Sequence, residues 1–75
     1  MEKWYEVAVS YKLGHGTETI ATFDTLEEAK DYTNNCDALE REYVDFVFID
    51  KWYSKDGDNA YKDRTFTPII YKENE

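Results

Sequence analysis

The chain is 75 residues long and holds one cysteine, one histidine, one proline and three glycines. With Cys36 alone, no intramolecular disulfide can form, and the paired-cysteine zinc patterns are excluded as well. His15 lies between Gly14 and Gly16 and reads as a solvated turn residue rather than a catalytic base. The longest apolar run, Phe46-Val47-Phe48-Ile49, falls far short of the ~20 residues a membrane-spanning helix needs. Met1-Glu2-Lys3-Trp4 has neither the basic nor the apolar region of a signal peptide, so a soluble, cytoplasmic protein is the expectation. Bases are also scarce: nine Lys and Arg stand against seventeen Asp and Glu, giving a net charge of −8. Each phosphate contact needs a Lys or Arg, so this balance argues against direct binding to nucleic acid or to an anionic membrane.

What the chain does have is aromatic side chains: seven Tyr, four Phe and two Trp. Each buried ring removes roughly 150–250 Å² from water, so a small core can suffice despite a charged fraction of 35%. The expectation is one folded domain over 1–75, frayed from about residue 72.

Alternation along residues 3–13 puts Tyr5, Val7, Val9, Tyr11 and Leu13 on one face and predicts a half-buried strand. Gly14-His15-Gly16 predicts a hairpin turn, and the β-branched segment Thr17–Phe23 its antiparallel partner. The apolar parity of that segment shifts between Ile20 and Ala21, which suggests a bulge or a turn into the next element. Asp24-Thr25-Leu26-Glu27 fits a helix N-cap with an acid three residues on. Leu26, Ala29, Tyr32, Thr33, Cys36, Leu39 and Tyr43 then recur at helical spacing. Asn34-Asn35 prefers caps to helix interiors. One helix of about 16 residues and a helix broken near Asn35 both fit the pattern, and the asparagine pair favours the break.

From Val44 to Tyr53 both faces are apolar, with Val44, Phe46, Phe48 and Trp52 on one and Val47, Ile49 and Tyr53 on the other. This is the mark of a central strand. Ser54–Asn59 carries an Asp-Gly turn signal. The last strand, roughly Ala60–Tyr71, contains Pro68, which places its end at a sheet edge. The predicted fold is α+β, ordered ββαββ: one antiparallel sheet of about four strands with one helix, continuous or broken, on one face.

Chemistry finds little footing. Ser10 and Ser54 fall in no nucleophile motif, and Cys36 sits on the apolar stripe as a small core residue. Asp56-Gly57-Asp58-Asn59 has its glycine between the aspartates, unlike a calcium loop, and Gly14-His15-Gly16 lacks the lysine and helix of a phosphate loop. No catalytic residue, metal or cofactor is therefore expected. The aromatics could stack bases, and Lys51, Lys55, Lys62, Arg64 and Lys72 gather in the C-terminal half, but neighbouring acids nearly cancel them.

The distribution of charge is the strongest functional signal. Asp24 to Asp45 contains eight acids against Lys30 and Arg41, a local charge of −6. A continuous helix would gather Asp24, Glu27, Asp31 and Glu42 opposite the apolar stripe, with Glu28 at the margin. Asp24/Glu28 and Glu27/Asp31 are like-charge pairs that weaken a helix. First-turn acids favour the helix dipole, which accounts for Asp24, Glu27 and Glu28 but not for Asp31, Glu42 or Asp45. The expected site is thus a partner-binding acidic surface of Asp24, Glu27, Glu28, Asp31, Glu42 and Asp45, facing a basic protein such as a nucleic-acid-binding enzyme. In size and charge, though in no motif, the chain resembles the short acidic inhibitors that phages and mobile elements make against nucleic-acid enzymes. The alternative is an assembly domain that self-associates, or adds a strand along the edge opposite Pro68, with Trp4 and Trp52 as anchors.

Overall fold

A computed structural model describes residues 2–35, 43–57 and 59–73. Strand β1 (Glu2–Tyr11) leads through a 3-10 turn (Lys12–Gly14) into β2 (Thr17–Phe23), and helix α1 (Leu26–Asn34) follows. The long strand β3 (Val44–Ser54), the two-residue β4 (Tyr61–Lys62) and β5 (Ile69–Glu73) complete the chain. All pairings are antiparallel in one sheet of order β2-β1-β3-β4, with β5 joining β4 on the outer side of β3. This is the predicted α+β arrangement with β3 central, except that the last strand is broken in two. The break has a local cause. Asp63 accepts hydrogen bonds from the Thr65 amide (2.9 Å) and hydroxyl (2.6 Å), turning the chain off the ladder until Pro68 lets it rejoin at Ile69.

Three bulges decide which side chains reach which face. Ile20 is the extra residue on β2, since Val7 faces Ala21 while Ala8 faces Thr19. As a result Ile20, Ala21 and Phe23 all pack on the core. Asp45 is the extra residue on β3, between Phe46 (opposite Ser10) and Val44 (opposite Tyr11). It reverses the parity, so Val44 joins Val47 and Ile49 in the core instead of sharing a face with Phe46 and Phe48. The third extra residue is Tyr71 on β5.

The core is aliphatic: Val7, Val9, Ala29, Val44, Val47 and Ile49 are fully buried, ringed by Tyr5, Tyr11, Phe23, Leu26 and Ile69. Thr25 caps α1. Its hydroxyl accepts from the Glu28 amide (3.2 Å) and donates to the Glu28 carboxylate (2.9 Å), so the capping box sits one residue later than Asp24/Glu27. The helix ends at Asn34 with Asn35 as its C-cap, where the asparagine pair pointed. Cys36, Leu39 and a second helical segment fall outside the described residues. A nine-residue helix is ~14 Å long, whereas a ten-residue strand spans ~33 Å. The far end of the same sheet face is covered by the turn after β4, where Phe66 meets Tyr5 edge-on at 5.8 Å.

Leu13 does not extend the β1 face as its spacing suggests. The ladder closes at Tyr11, whose amide donates to the Gly16 carbonyl (2.9 Å), and Leu13 turns away at φ 61°, 94% exposed.

Candidate functional site: the acidic helix and the bare sheet face

Helix α1 turns Leu26, Ala29 and Thr33 inward. At ~100° per residue, Glu27, Glu28 and Asp31 then fall on the outer arc. All three are exposed, as is Asp24 just before the cap. No ion pair joins any of these four carboxylates to a described residue. Three lysines on or beside the sheet are engaged elsewhere, whereas Lys3 of β1 lines a shallow surface hollow together with Asp24. Lys51 meets Asp63 at 3.7 Å and lies over the Tyr5 ring at 6.0 Å; Lys62 meets Asp50 at 3.2 Å; Lys55 lies over Tyr53 at 5.9 Å. Among the described residues, no direct ion pair quenches the negative field of the helix.

Two of the predicted acidic residues stand apart. Asp45 is the half-buried bulge residue of β3, on the sheet rather than the helix. Glu42 lies outside the described residues. The apolar stripe also differs from its sequence pattern: Tyr32 and Tyr43 are exposed, each against a sheet aromatic, with Phe23 at 5.3 Å and Tyr11 at 5.6 Å respectively. The short helix seats Leu26, Ala29 and Thr33 against the sheet, and the tyrosines cover its margins.

No described element packs on the opposite face of the sheet. There β1 contributes Trp4, Glu6, Ala8 and Ser10, and β3 contributes Phe46, Phe48, Asp50 and Trp52. In register these pair Trp4 with Trp52, Glu6 with Asp50 and Ala8 with Phe48. The rings are half-buried, Phe46 lies 5.8 Å from Phe48, and Ile70 beside Phe48 is 53% exposed. Trp4 and Trp52 thus belong to this bare face and not to the core.

Glu6 and Asp50 are carboxylates directly opposite each other, an arrangement that costs stability unless both are satisfied. Glu6 accepts from the Trp4 indole (2.8 Å) and the Thr19 hydroxyl (3.0 Å). Asp50 is 5% exposed; its Oδ2 holds Lys62, and its Oδ1 has no hydrogen-bond partner. Sequence reasoning missed this pair because two acids 44 positions apart signal nothing until the β1–β3 register sets them face to face. The lone polar residue in the apolar run from Phe46 to Trp52 on that face, Asp50, was the available clue.

Among the described residues, no group of three or more His, Cys, Asp or Glu could hold a metal ion, and no helix is long and apolar enough to cross a membrane. No protein-family model, curated protein or solved structure matches the chain.

Proposed function

We propose that this chain is a small non-enzymatic binding module that works in the cytoplasm by docking its acidic helix face on a basic groove of another protein. The observation supporting the reading is that Asp24, Glu27, Glu28 and Asp31 are all exposed and form no ion pair with a described residue, while Lys51, Lys55 and Lys62 meet acids or rings of their own. Side chains three and four apart on a helix stand about 5–6 Å from one another, so such a row can occupy lysine and arginine sites that otherwise receive phosphates. The mechanism is competition: the module excludes nucleic acid from the groove it fills, as the short acidic inhibitors of phages and mobile elements do. Attraction between the two fields speeds encounter and makes it sensitive to salt, because the Debye length is only about 8 Å at physiological ionic strength.

A protein captured from lysate at low salt should be released both by a salt gradient and by a short DNA duplex added as competitor. The double reversal Glu27→Lys/Asp31→Lys should abolish its capture. Undiminished capture by that variant, or indifference to the duplex, would remove this reading.

The assembly alternative draws on a different observation, the half-buried Trp4 and Trp52 on the bare face. An oligomer whose sedimentation ignores added salt would favour it.

A further inference from the structure

The bare face is not uniformly flat. Ala8 sits between taller neighbours, opposite Phe48 on one side and Thr19 on the other, and its methyl group forms the floor of a cleft of about 170 Å³. The walls are Phe48 and Trp52 along β3 and Thr17 and Thr19 along β2, with Glu6, Asp50 and Lys62 closing the cleft. Small volume, one aromatic wall, one threonine wall and two acids meet in one place.

The charges within it do not balance. Two carboxylates share one ammonium group, that of Lys62, which is itself half exposed and bound to a single oxygen of Asp50. Three of the four carboxylate oxygens have partners: Trp4 and Thr19 on Glu6, and Lys62 on Asp50. The fourth, Asp50 Oδ1, is buried and has none. One oxygen of a buried carboxylate left without a donor is costly, and a group with both a positive charge and N–H donors would relieve that oxygen and the surplus charge together.

We propose that this cleft binds one arginine side chain of a partner protein, the half-exposed Lys62 side chain moving aside so that the guanidinium donates to the Asp50 carboxylate and lies against the Trp52 and Phe48 rings. Arginine suits the site better than lysine for physical reasons. Its planar head stacks on aromatic faces, is more weakly hydrated than an ammonium, and offers several N–H donors in a fixed fork. A neutral amide would satisfy the oxygen without offsetting the surplus charge. The site is on the opposite side of the sheet from the acidic helix, so it is a second recognition point that holds whether or not the helix meets a partner.

The test is a titration of the isotopically labelled protein with N-acetyl-arginine methylamide, read by two-dimensional NMR. Saturable shifts are expected at the Trp52 indole N–H and the Ala8 and Asp50 amides, with half-saturation at roughly 1–10 mM as befits one side chain. The lysine analogue should bind more weakly, and the uncharged citrulline analogue should produce no saturable shift. Asp50→Asn should lose most of the affinity. Ala8→Leu fills the cleft without touching a charge and should abolish binding, which keeps the test decisive if Asp50→Asn unfolds. Lys62→Met removes the resident competitor and should tighten binding by about tenfold, the opposite sign from the other variants. Equal shifts with citrulline, shifts confined to Glu27 and Asp31, or binding that survives Ala8→Leu would each overturn the proposal.

Discussion

The side of the sheet beneath the helix is aliphatic, with valines and isoleucine at zero or near-zero exposure, while the other side carries indole and phenyl rings with two carboxylates among them. Aliphatic side chains bury well only when another layer closes over them, and α1 and the Phe66 turn provide that layer. Rings stand tall enough to shelter one another and the strands below without a lid, so Ala8 is buried, and Asp50 too with the help of Lys62, on a face that no described element covers. Stability and chemistry are thereby separated: the covered side holds the fold together, and the bare side can keep a charged group that a closed core would reject.

The comparison breaks most visibly in the core. Ile49→Ala should cost about 3 kcal/mol in urea unfolding, whereas Phe48→Ala, its half-buried neighbour across the strand, should cost about half as much despite losing the larger group. Equal losses would mean that the two sides contribute alike. Next comes Lys62→Met, which leaves the buried Asp50 carboxylate without its cation and should destabilise by about 1–2 kcal/mol, moderated by the exposure of the lysine. The double change Asp50→Leu/Lys62→Met should recover most of that loss, because an apolar pair removes the charge as well as its partner. Thr25→Ala removes the cap of the element that closes the covered side and should cost ~1 kcal/mol by thermal unfolding. Leu13→Gly should instead stabilise by roughly 0.5 kcal/mol, since it relieves a left-handed backbone and sacrifices no buried contact.

The smallest effect concerns acid. The Thr65 hydroxyl and amide, with Lys51 adding its charge, hold the Asp63 carboxyl below the usual carboxylate range. A lowered native pKa contributes stability that is fully present above the unfolded-state value and is lost as pH falls through the native one. The Thr65 amide signal should therefore report the turn opening below the ordinary carboxylate range, and Asp63→Asn should flatten that step. A step at or above the ordinary carboxylate pKa would contradict the assignment.

Much of this architecture is legible in local pattern. The β1 alternation, the glycine-flanked hairpin, the helix stop at Asn34-Asn35 and the edge position after Pro68 all follow from backbone chemistry that acts within a few residues. What escapes depends on register. Simple alternation puts Val44 on the wrong face because the bulge at Asp45 resets the count, and it extends the strand to Leu13 because parity cannot show where the ladder ends. The cap moved from Asp24 to Thr25 because both residues have an acid three positions on. On the functional side, four acids flanking one short helix were readable as neighbours. Asp45 was not readable as a sheet residue, and the Glu6–Asp50 pair exists only through long-range pairing.

The bulge at Ile20 also bears on how the molecule behaves when crowded. Strand β2 is an outer edge, and a smooth outer edge is a template on which a second chain can lay a strand and begin a fibril. The extra residue interrupts that template midway, so an incoming strand that matches Thr17–Thr19 falls out of step at Ala21. Glu18 then places a charge within the matching half. A protein with a ring-studded open side has reason to resist templated growth, and straightening β2 by deleting Ile20 would make concentrated solutions prone to amyloid-like stacking.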